Sequence, residues 1–294
     1  MHTSDTQTIC LHHNDSDGRA AAAIIRYALG NGIWLYEMDY GDSIPLEKIL
    51  TAEKIIIVDF SLSKEEMIKL ATYHKLTWID HHKSALEEMD GISDSWPGIR
   101  DTKEAACVLT WKYFYPDRPV PKGIRLIGDR DIWKWAYPET GPFNEGFYQL
   151  DTRPFNDSVW IPLFENDQTT LDKILQNGKI LREARMKTIR RTLLSKGFSV
   201  TMDGYKTLVI NLRGSGDIGQ QVRNMGYEIA YCYSDDLHHE ELTTFVTMYS
   251  DKVDVSDIAK RFGGGGHSGA AGFHFKRGES PFPPGIEAII FHEE

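Results

Sequence analysis

The stretch KIIIVDFSLSKEEMIKLATYHKLTWIDHH, residues 54–82, decides how this chain folds. Lys54 to Asp59 reads as an apolar strand that stops at a carboxylate, and Leu76 to Ile79 as another that stops at Asp80-His81-His82. Between them, Ser63 to Tyr73 has the pattern of a helix, with Ser63 placed to cap its first turn. Strands that alternate with helices describe a parallel α/β sheet, and such sheets bind ligands at the carboxyl ends of their strands. The chemistry-bearing residues of this stretch fall at those ends.

The same grammar extends outward. Upstream, Ile9 to His12 is a short apolar strand that runs into His13-Asn14-Asp15-Ser16-Asp17-Gly18, and Arg19 to Leu29 is an alanine-rich helix closed by Gly30. Downstream, Glu104 to Tyr113 reads as a helix, and Ile124 to Asp129 as a fourth strand leading into Asp129-Arg130-Asp131. A long helical pattern from about Thr170 to Ser195 then connects to a second domain. There Tyr205 to Asn211, Ile229 to Tyr233 and Thr243 to Tyr249 read as strands. Val255 to Phe262 reads as a short helix, ended by Gly263-Gly264-Gly265-Gly266-His267.

Composition narrows the class. The 294 residues suit one large domain or two moderate ones, and 41% hydrophobic with 26% charged residues is ordinary for a globular protein. No run of 18 apolar residues occurs and Met1 to Thr8 has no signal pattern, so a cytoplasmic protein away from the membrane is expected. Cys10, Cys107 and Cys232 are widely spaced, an odd count that speaks against disulfides or a thiolate zinc site. Lys and Arg number 33 against 43 Asp and Glu, a formal net charge of −10. Long nucleic acids are gripped through basic surfaces, so this balance favours a short anionic substrate over a polymer.

His13, Asp15 and Asp17 alternate, and in an extended segment they would point to one side as a ligand cluster. The competing reading is a polar turn with Asp17 capping the next helix. Asp59 taken alone reads better as a cap of the helix that follows, and Asp131 has a salt bridge as its alternative. The combination favours chemistry, because carboxylates and imidazoles recur at four strand ends of one sheet and can share a rim. Such thiolate-free sites suit Mn²⁺ or Mg²⁺, with Fe²⁺ or Co²⁺ as substitutes. Two such ions about 3.5–4 Å apart support phosphate hydrolysis. The run Gly264-Gly265-Gly266-His267 offers consecutive backbone N–H groups as an anion-binding nest, with an imidazole beside it.

With these residues in order, the sequence resembles the DHH phosphoesterase superfamily. Asp80-His81-His82 matches its eponymous triad, the His13 to Gly18 segment its first motif, Asp59 its second and Asp129 its fourth. GGGGHSGAAG, residues 263–272, resembles the signature of the DHH-associated C-terminal domain. The resemblance implies a catalytic metal-binding domain over residues 1–168, a helical linker over 169–197 and a substrate-binding α/β domain over 198–294, with the site in the cleft between the domains. It implies one manganese ion on His13, Asp15 and Asp59, and a second on Asp17, Asp59, His81 and Asp129. Asp80 would orient a histidine and His82 would face the substrate phosphate, while Gly264, Gly265, Gly266 and His267 would hold a phosphate. Two points depart from the pattern. Thr247-Met248-Tyr249-Ser250 lacks an arginine common there, which leaves Arg213 as a replacement or Tyr249 as a base-stacking ring. Asp131 competes with Asp129, which is chosen here for its place nearer the end of the apolar strand.

Within the superfamily the motif style is closest to the nanoRNase and oligoribonuclease-like branch. The expected activity is hydrolysis of short 5′-phosphorylated oligonucleotides or linear dinucleotides, such as pGpG or pApA, to mononucleotides. The alternatives are a phosphomonoesterase or exopolyphosphatase, a cyclic dinucleotide phosphodiesterase, or a nucleotide-binding sensor without turnover.

Overall fold

A computed structural model describes residues 8–39, 41–238, 241–278, 280–286 and 288–290. The chain divides into two compact units, residues 1–182 and 183–294. Among the described residues, no helix is long and apolar enough to cross a membrane.

The first unit is built on a four-stranded parallel sheet. Its strands are β1 (Thr8–His13), β2 (Trp34–Met38), β3 (Lys54–Val58) and β4 (Lys75–Ile79), in the order β2-β1-β3-β4. Alternate residues of these strands feed two cores. Cys10, Ile56, Val58 and Ile79 face one cluster, and Ile9, Leu11, Ile55, Ile57 and Trp78 face the other. Burial on both faces explains why the strands read as continuous apolar runs. Helix α1 (Ser16–Leu29) belongs to the first face, whereas α2 (Leu46–Ile49) and α3 (Lys64–Tyr73) belong to the second. The chain therefore leaves β1 and β3, which are adjacent, toward opposite faces. That is a topological switch point, where a crevice opens at the strand ends.

Local chemistry fixes these elements. Ser63 caps α3 in a reciprocal capping box with Glu66. Asp15 caps α1, its carboxylate accepting from the Gly18 N–H at 2.9 Å. Ala20 to Ile25 are all buried, and the small side chains of Ala20 to Ala23 let α1 lie close under the sheet. A Cβ on Gly18 would sit 2.4 Å from the His13 carbonyl oxygen, so only glycine lets the helix start so near the end of β1.

Past β4 the first unit is helical: α4 (Lys83–Glu88), α5 (Ala106–Phe114), α6 (Lys122–Asp131), α7 (Thr140–Phe147) and α8 (Asp157–Phe164). The expected fourth strand at Ile124 to Asp129 is thus part of a helix. Ile124, Leu126 and Ile127 are buried on its inner side, and an apolar run this short does not distinguish a buried helix from a strand. Conversely, β2 went unread because its aromatic and charged residues form an edge with only partial burial.

Helix α9 (Gln168–Lys196) runs from the first unit into the second. The second unit is a mixed seven-stranded sheet of β5 (Phe198–Met202), β6 (Tyr205–Asn211), β7 (Ile229–His238), β8 (Glu241–Tyr249), β9 (Gly265–His267), β10 (Ala270–Lys276) and β11 (Ala288–Ile290). The order is β11-β5-β6-β7-β8-β10-β9. Among the described residues of this unit only β6 and β7 pair in parallel, joined through α10 (Gly216–Asn224), and α11 (Val255–Lys260) packs on the other face with Val255 and Ile258 buried. β5 and β6 form a hairpin around Asp203-Gly204, both at positive φ, the turn that matches strand twist. All three cysteines are free and buried.

Candidate metal centre

The carboxyl ends of β1, β3 and β4 deliver the side chains of the centre. His13 is the last residue of β1, and its Nδ1 lies 3.1 Å from Asp15 Oδ2 and 3.8 Å from Asp59 Oδ2. Asp59 directly follows β3 and is buried at φ 56°, a left-handed conformation that aspartate tolerates better than most residues. Beyond β4, His81 Nε2 lies 3.1 Å from Asp59 Oδ1, 3.7 Å from Asp17 Oδ2 and 3.4 Å from Asp131 Oδ2.

Three sets of donors result, each with its ligand atoms within 4.8 Å of one another. They are His13, Asp15 and Asp59; Asp17, His81 and Asp131; and Asp59, Asp80, His81 and His82. Asp59 belongs to two of them. His13, Asp15 and Asp17 do not project from one extended segment, as the alternation suggested. β1 ends at His13, Asp15 is the N-cap, and Asp17 sits in the first turn of α1. Asp17 is not the cap of α1 either. Its two oxygens accept from the backbone N–H groups of Ala106 (2.7 Å) and Cys107 (2.9 Å) at the start of α5.

The structure brings Asp131, rather than Asp129, to the histidines. Asp129 Oδ1 accepts from the Ala136 N–H at 2.9 Å and Oδ2 from the Thr140 hydroxyl, so both oxygens are engaged away from the histidines. Because the segment is helical, Asp131, two residues on at the end of α6, is the side chain that turns toward His81. A further residue escaped the sequence reading. Asp39, just past β2, places Oδ1 3.5 Å from His13 Nε2 and accepts from Asn14 Nδ2 at 3.1 Å. The same strand-end logic would have found it had β2 been read.

Asp80 is fully buried, and its Oδ1 accepts from the His81 and His82 N–H groups at 2.7 and 3.2 Å and contacts His82 Nδ1 at 2.8 Å. This contact raises the His82 pKa. The bond to Asp15 likewise raises that of His13. Asp15 is partly buried, which works against ionisation, yet its bonds from His13 and Gly18 hold it down to about 2. Burial, reinforced by Asp17 and Asp15, drives the other two carboxyls the opposite way: Asp59 well above the usual range and Asp131 up to about 8.

A divalent cation fits this arrangement. Asp59 Oδ2 and Asp80 Oδ2 are buried without a hydrogen-bond partner among the described residues, a costly state for a carboxylate oxygen. Crowded carboxylates that repel one another, interleaved with imidazoles and free of thiolates, are the donor set of hard or borderline ions, and a bound cation reverses that repulsion.

In the second unit the glycine run does not form an isolated nest. Gly265–His267 is strand β9, paired only with β10 among the described residues, so its outer edge is open. A Cβ at Gly264 would meet the Gly272 carbonyl oxygen at 2.1 Å, so that glycine serves strand packing. His267 is exposed beside it. Arg213 is exposed in the loop after β6, and the half-buried Tyr249 ring packs against Gly214 and Gly219.

Fold and site together define an α/β protein with a histidine–carboxylate cluster able to hold metal on a parallel-sheet rim, followed by a mixed-sheet second unit. No family model matches the sequence. It is 27% identical over 302 residues to uncharacterized protein R106 of Acanthamoeba polyphaga mimivirus, covering 95% of this chain and 70% of that one. It is 20% identical over 284 residues to oligoribonuclease NrnB of Bacillus subtilis (strain 168), covering 88% and 71%. The fold is similar to the DHH domain of a member of the S1p family of ribosomal proteins, with TM-score 0.55, 18% identity and coverage of 92% and 82%. It is also similar to the pGpG-specific phosphodiesterase PggH of Vibrio cholerae, with TM-score 0.51, 12% identity and coverage of 92% and 93%. The fold is thus shared with a DHH-domain protein.

Proposed function

We propose that this protein is a metal-dependent phosphodiesterase that cleaves short 5′-phosphorylated oligonucleotides, linear dinucleotides in particular, to mononucleotides. The observation that carries the proposal is Asp59, whose two oxygens face different donor sets, one toward His13 and the other toward His81. His13, Asp15 and Asp59 would hold one divalent ion, and Asp17, Asp59, His81 and Asp131 a second, with manganese the first choice. Bound there, such ions supply charge for the phosphoryl oxygens and lower the pKa of attacking water.

The chain's own groups do the rest. Asp80 holds His82 through Nδ1, fixing the imidazole's orientation and favouring its protonated form, and we assign His82 to a phosphate oxygen or the leaving group. Asp17, held by the first N–H groups of α5, keeps its carboxylate fixed on the His81 side of the site. In the second unit we assign the substrate's terminal phosphate to the open edge at Gly264, Gly265, Gly266 and His267 and to Arg213. We assign Tyr249, whose ring packs against Gly214 and Gly219, to a base contact. A net charge of −10 favours a short substrate, and so do a relative called an oligoribonuclease and a fold neighbour called pGpG-specific.

The test is a product profile. Manganese-loaded protein is given pGpG, pApA, single strands of about twenty nucleotides, a cyclic dinucleotide, a nucleoside bisphosphate and polyphosphate, with nucleoside monophosphate and free phosphate quantified separately. Rapid release of mononucleotides from the linear dinucleotides is expected. Preference for long strands, the cyclic dinucleotide, the bisphosphate or polyphosphate would overturn the reading.

A further inference from the structure

The segment that follows Asp131 has features the metal centre does not require. Trp133 and Trp135 are 64% and 39% exposed, their rings meet edge to face at 5.1 Å, and both sit at positive φ (56° and 51°). Bulky residues rarely adopt that conformation unless the surroundings impose it. Here the imposing group is Asp129. Its backbone oxygen accepts from the N–H groups of Lys134 (2.9 Å) and Trp135 (3.4 Å), and its carboxylate from Ala136 and Thr140. A fully engaged buried carboxylate thus holds two large indoles out in solvent.

Beside this loop lies a cavity of about 280 Å³, lined by Lys134 and Tyr137 from the loop and by Lys103 and Arg125 from the segments before and within α5 and α6. In an acidic chain this is a local concentration of positive charge. Among the described residues none of the three cations forms an ion pair, and Arg125 only donates to the Val120 carbonyl at 2.8 Å. The two carboxylates at the cavity are already committed, Glu104 to Lys112 and Asp129 to the loop. Trp133 lies two residues beyond Asp131, a span of at most about 7 Å along the chain, so the loop starts close to the candidate metal centre.

We infer that residues 133–137 and the cavity beside them form a nucleotide subsite, in which Trp133 and Trp135 stack a base and Lys103, Arg125 and Lys134 meet its phosphate. Exposed aromatics next to cations are how sequence-tolerant single-strand binders hold nucleotides. Aromatic rings carried on a backbone that hydrogen bonds already fix give contact at reduced cost in conformational entropy. The subsite deepens the proposed function by making the substrate a base-bearing one, and it rests on that reading only for its role in turnover.

The test separates the two. The intact, manganese-loaded protein is titrated with GMP, AMP, ribose 5-phosphate and inorganic phosphate, read by tryptophan fluorescence and by calorimetry, and pGpG hydrolysis is measured on the same samples. Stacking predicts quenching by GMP and AMP but not by ribose 5-phosphate. In W133A/W135A, mononucleotide affinity falls by roughly five- to 150-fold, the range alanine substitution gives for base stacking. The KM for pGpG rises by a similar factor while kcat stays within about twofold, and W133F/W135F restores the affinity. K103A/K134A weakens mononucleotides and ribose 5-phosphate alike. If GMP binds no better than ribose 5-phosphate, or the double alanine variant binds GMP as the parent does, the subsite is overturned whether or not pGpG is cleaved. Loss of binding in that variant supports the subsite even if pGpG is left intact, an outcome that would overturn only the proposed activity.

Discussion

Two carboxylates of one short segment, Asp129 and Asp131, do different work, and the difference is a matter of helix geometry. Asp131 turns toward His81, whereas Asp129 turns back to hold residues 134–140. D131N is expected to lower manganese affinity and hydrolysis by roughly 100-fold or more, with little loss of stability, because its carboxyl is held near neutrality by burial and by Asp17. D129N should bind manganese like the parent but lose about 1–3 kcal/mol of stability, measured by urea unfolding. A second residue-scale outcome concerns His82, whose pKa is raised by Asp80. If His82 acts in its protonated form, activity declines as pH rises through that pKa. D80N removes the raising charge, so the alkaline limb of the kcat/KM profile should move to lower pH. An unmoved limb would remove His82 from the role assigned to it.

At the scale of elements, the junction between β1 and α1 is the most constrained backbone in the centre. G18A would put a Cβ 2.4 Å from the His13 carbonyl oxygen. Relief requires moving His13 or the start of α1, and a cost of about 3 kcal/mol is expected, together with weaker manganese binding. Gly265 makes the contrast: nothing lies within 4 Å of its built Cβ, so G265A should change stability by less than about 0.5 kcal/mol. Thermal or urea unfolding of the two variants checks both.

The elements also show what a sequence can and cannot disclose. β1, β3, β4 and α3 were legible because their apolar runs are buried on both sides and end in unmistakable polar residues. His13, Asp15, Asp59, His81 and His82 were therefore legible too. The edge strand β2 was not, since half-exposed aromatics carry no clear period, and Asp39 was lost with it. Residues 124–129 failed for another reason. Ile124, Leu126 and Ile127 are buried in a helix whose amphipathic face is too short to outvote a strand reading, and that error chose Asp129. No local pattern could reveal that Asp17 reaches the first N–H groups of α5, 89 residues away.

For the whole molecule, the candidate metal centre is a site of stored electrostatic repulsion. Asp59 and Asp131 hold protons in the metal-free fold at pH values where the unfolded chain has released them. Between about pH 4 and pH 8 the native state therefore binds more protons than the unfolded one, and stability falls as pH rises through that window. Stripped of metal, the protein should show a declining melting temperature from pH 5 to pH 8. The gain on adding manganese should grow over the same range, because deprotonated carboxylates bind it and native-state binding adds to stability. A metal-free protein that becomes more stable across this range would contradict the account of the centre.

The most direct test is anomalous diffraction at the manganese absorption edge from crystals grown with Mn²⁺. The account predicts two peaks about 3.5–4 Å apart, with Asp59 touching both, His13 and Asp15 on one, and Asp17, His81 and Asp131 on the other. A centre without peaks, or an ion held by Asp129 while Asp131 stands clear, would contradict it.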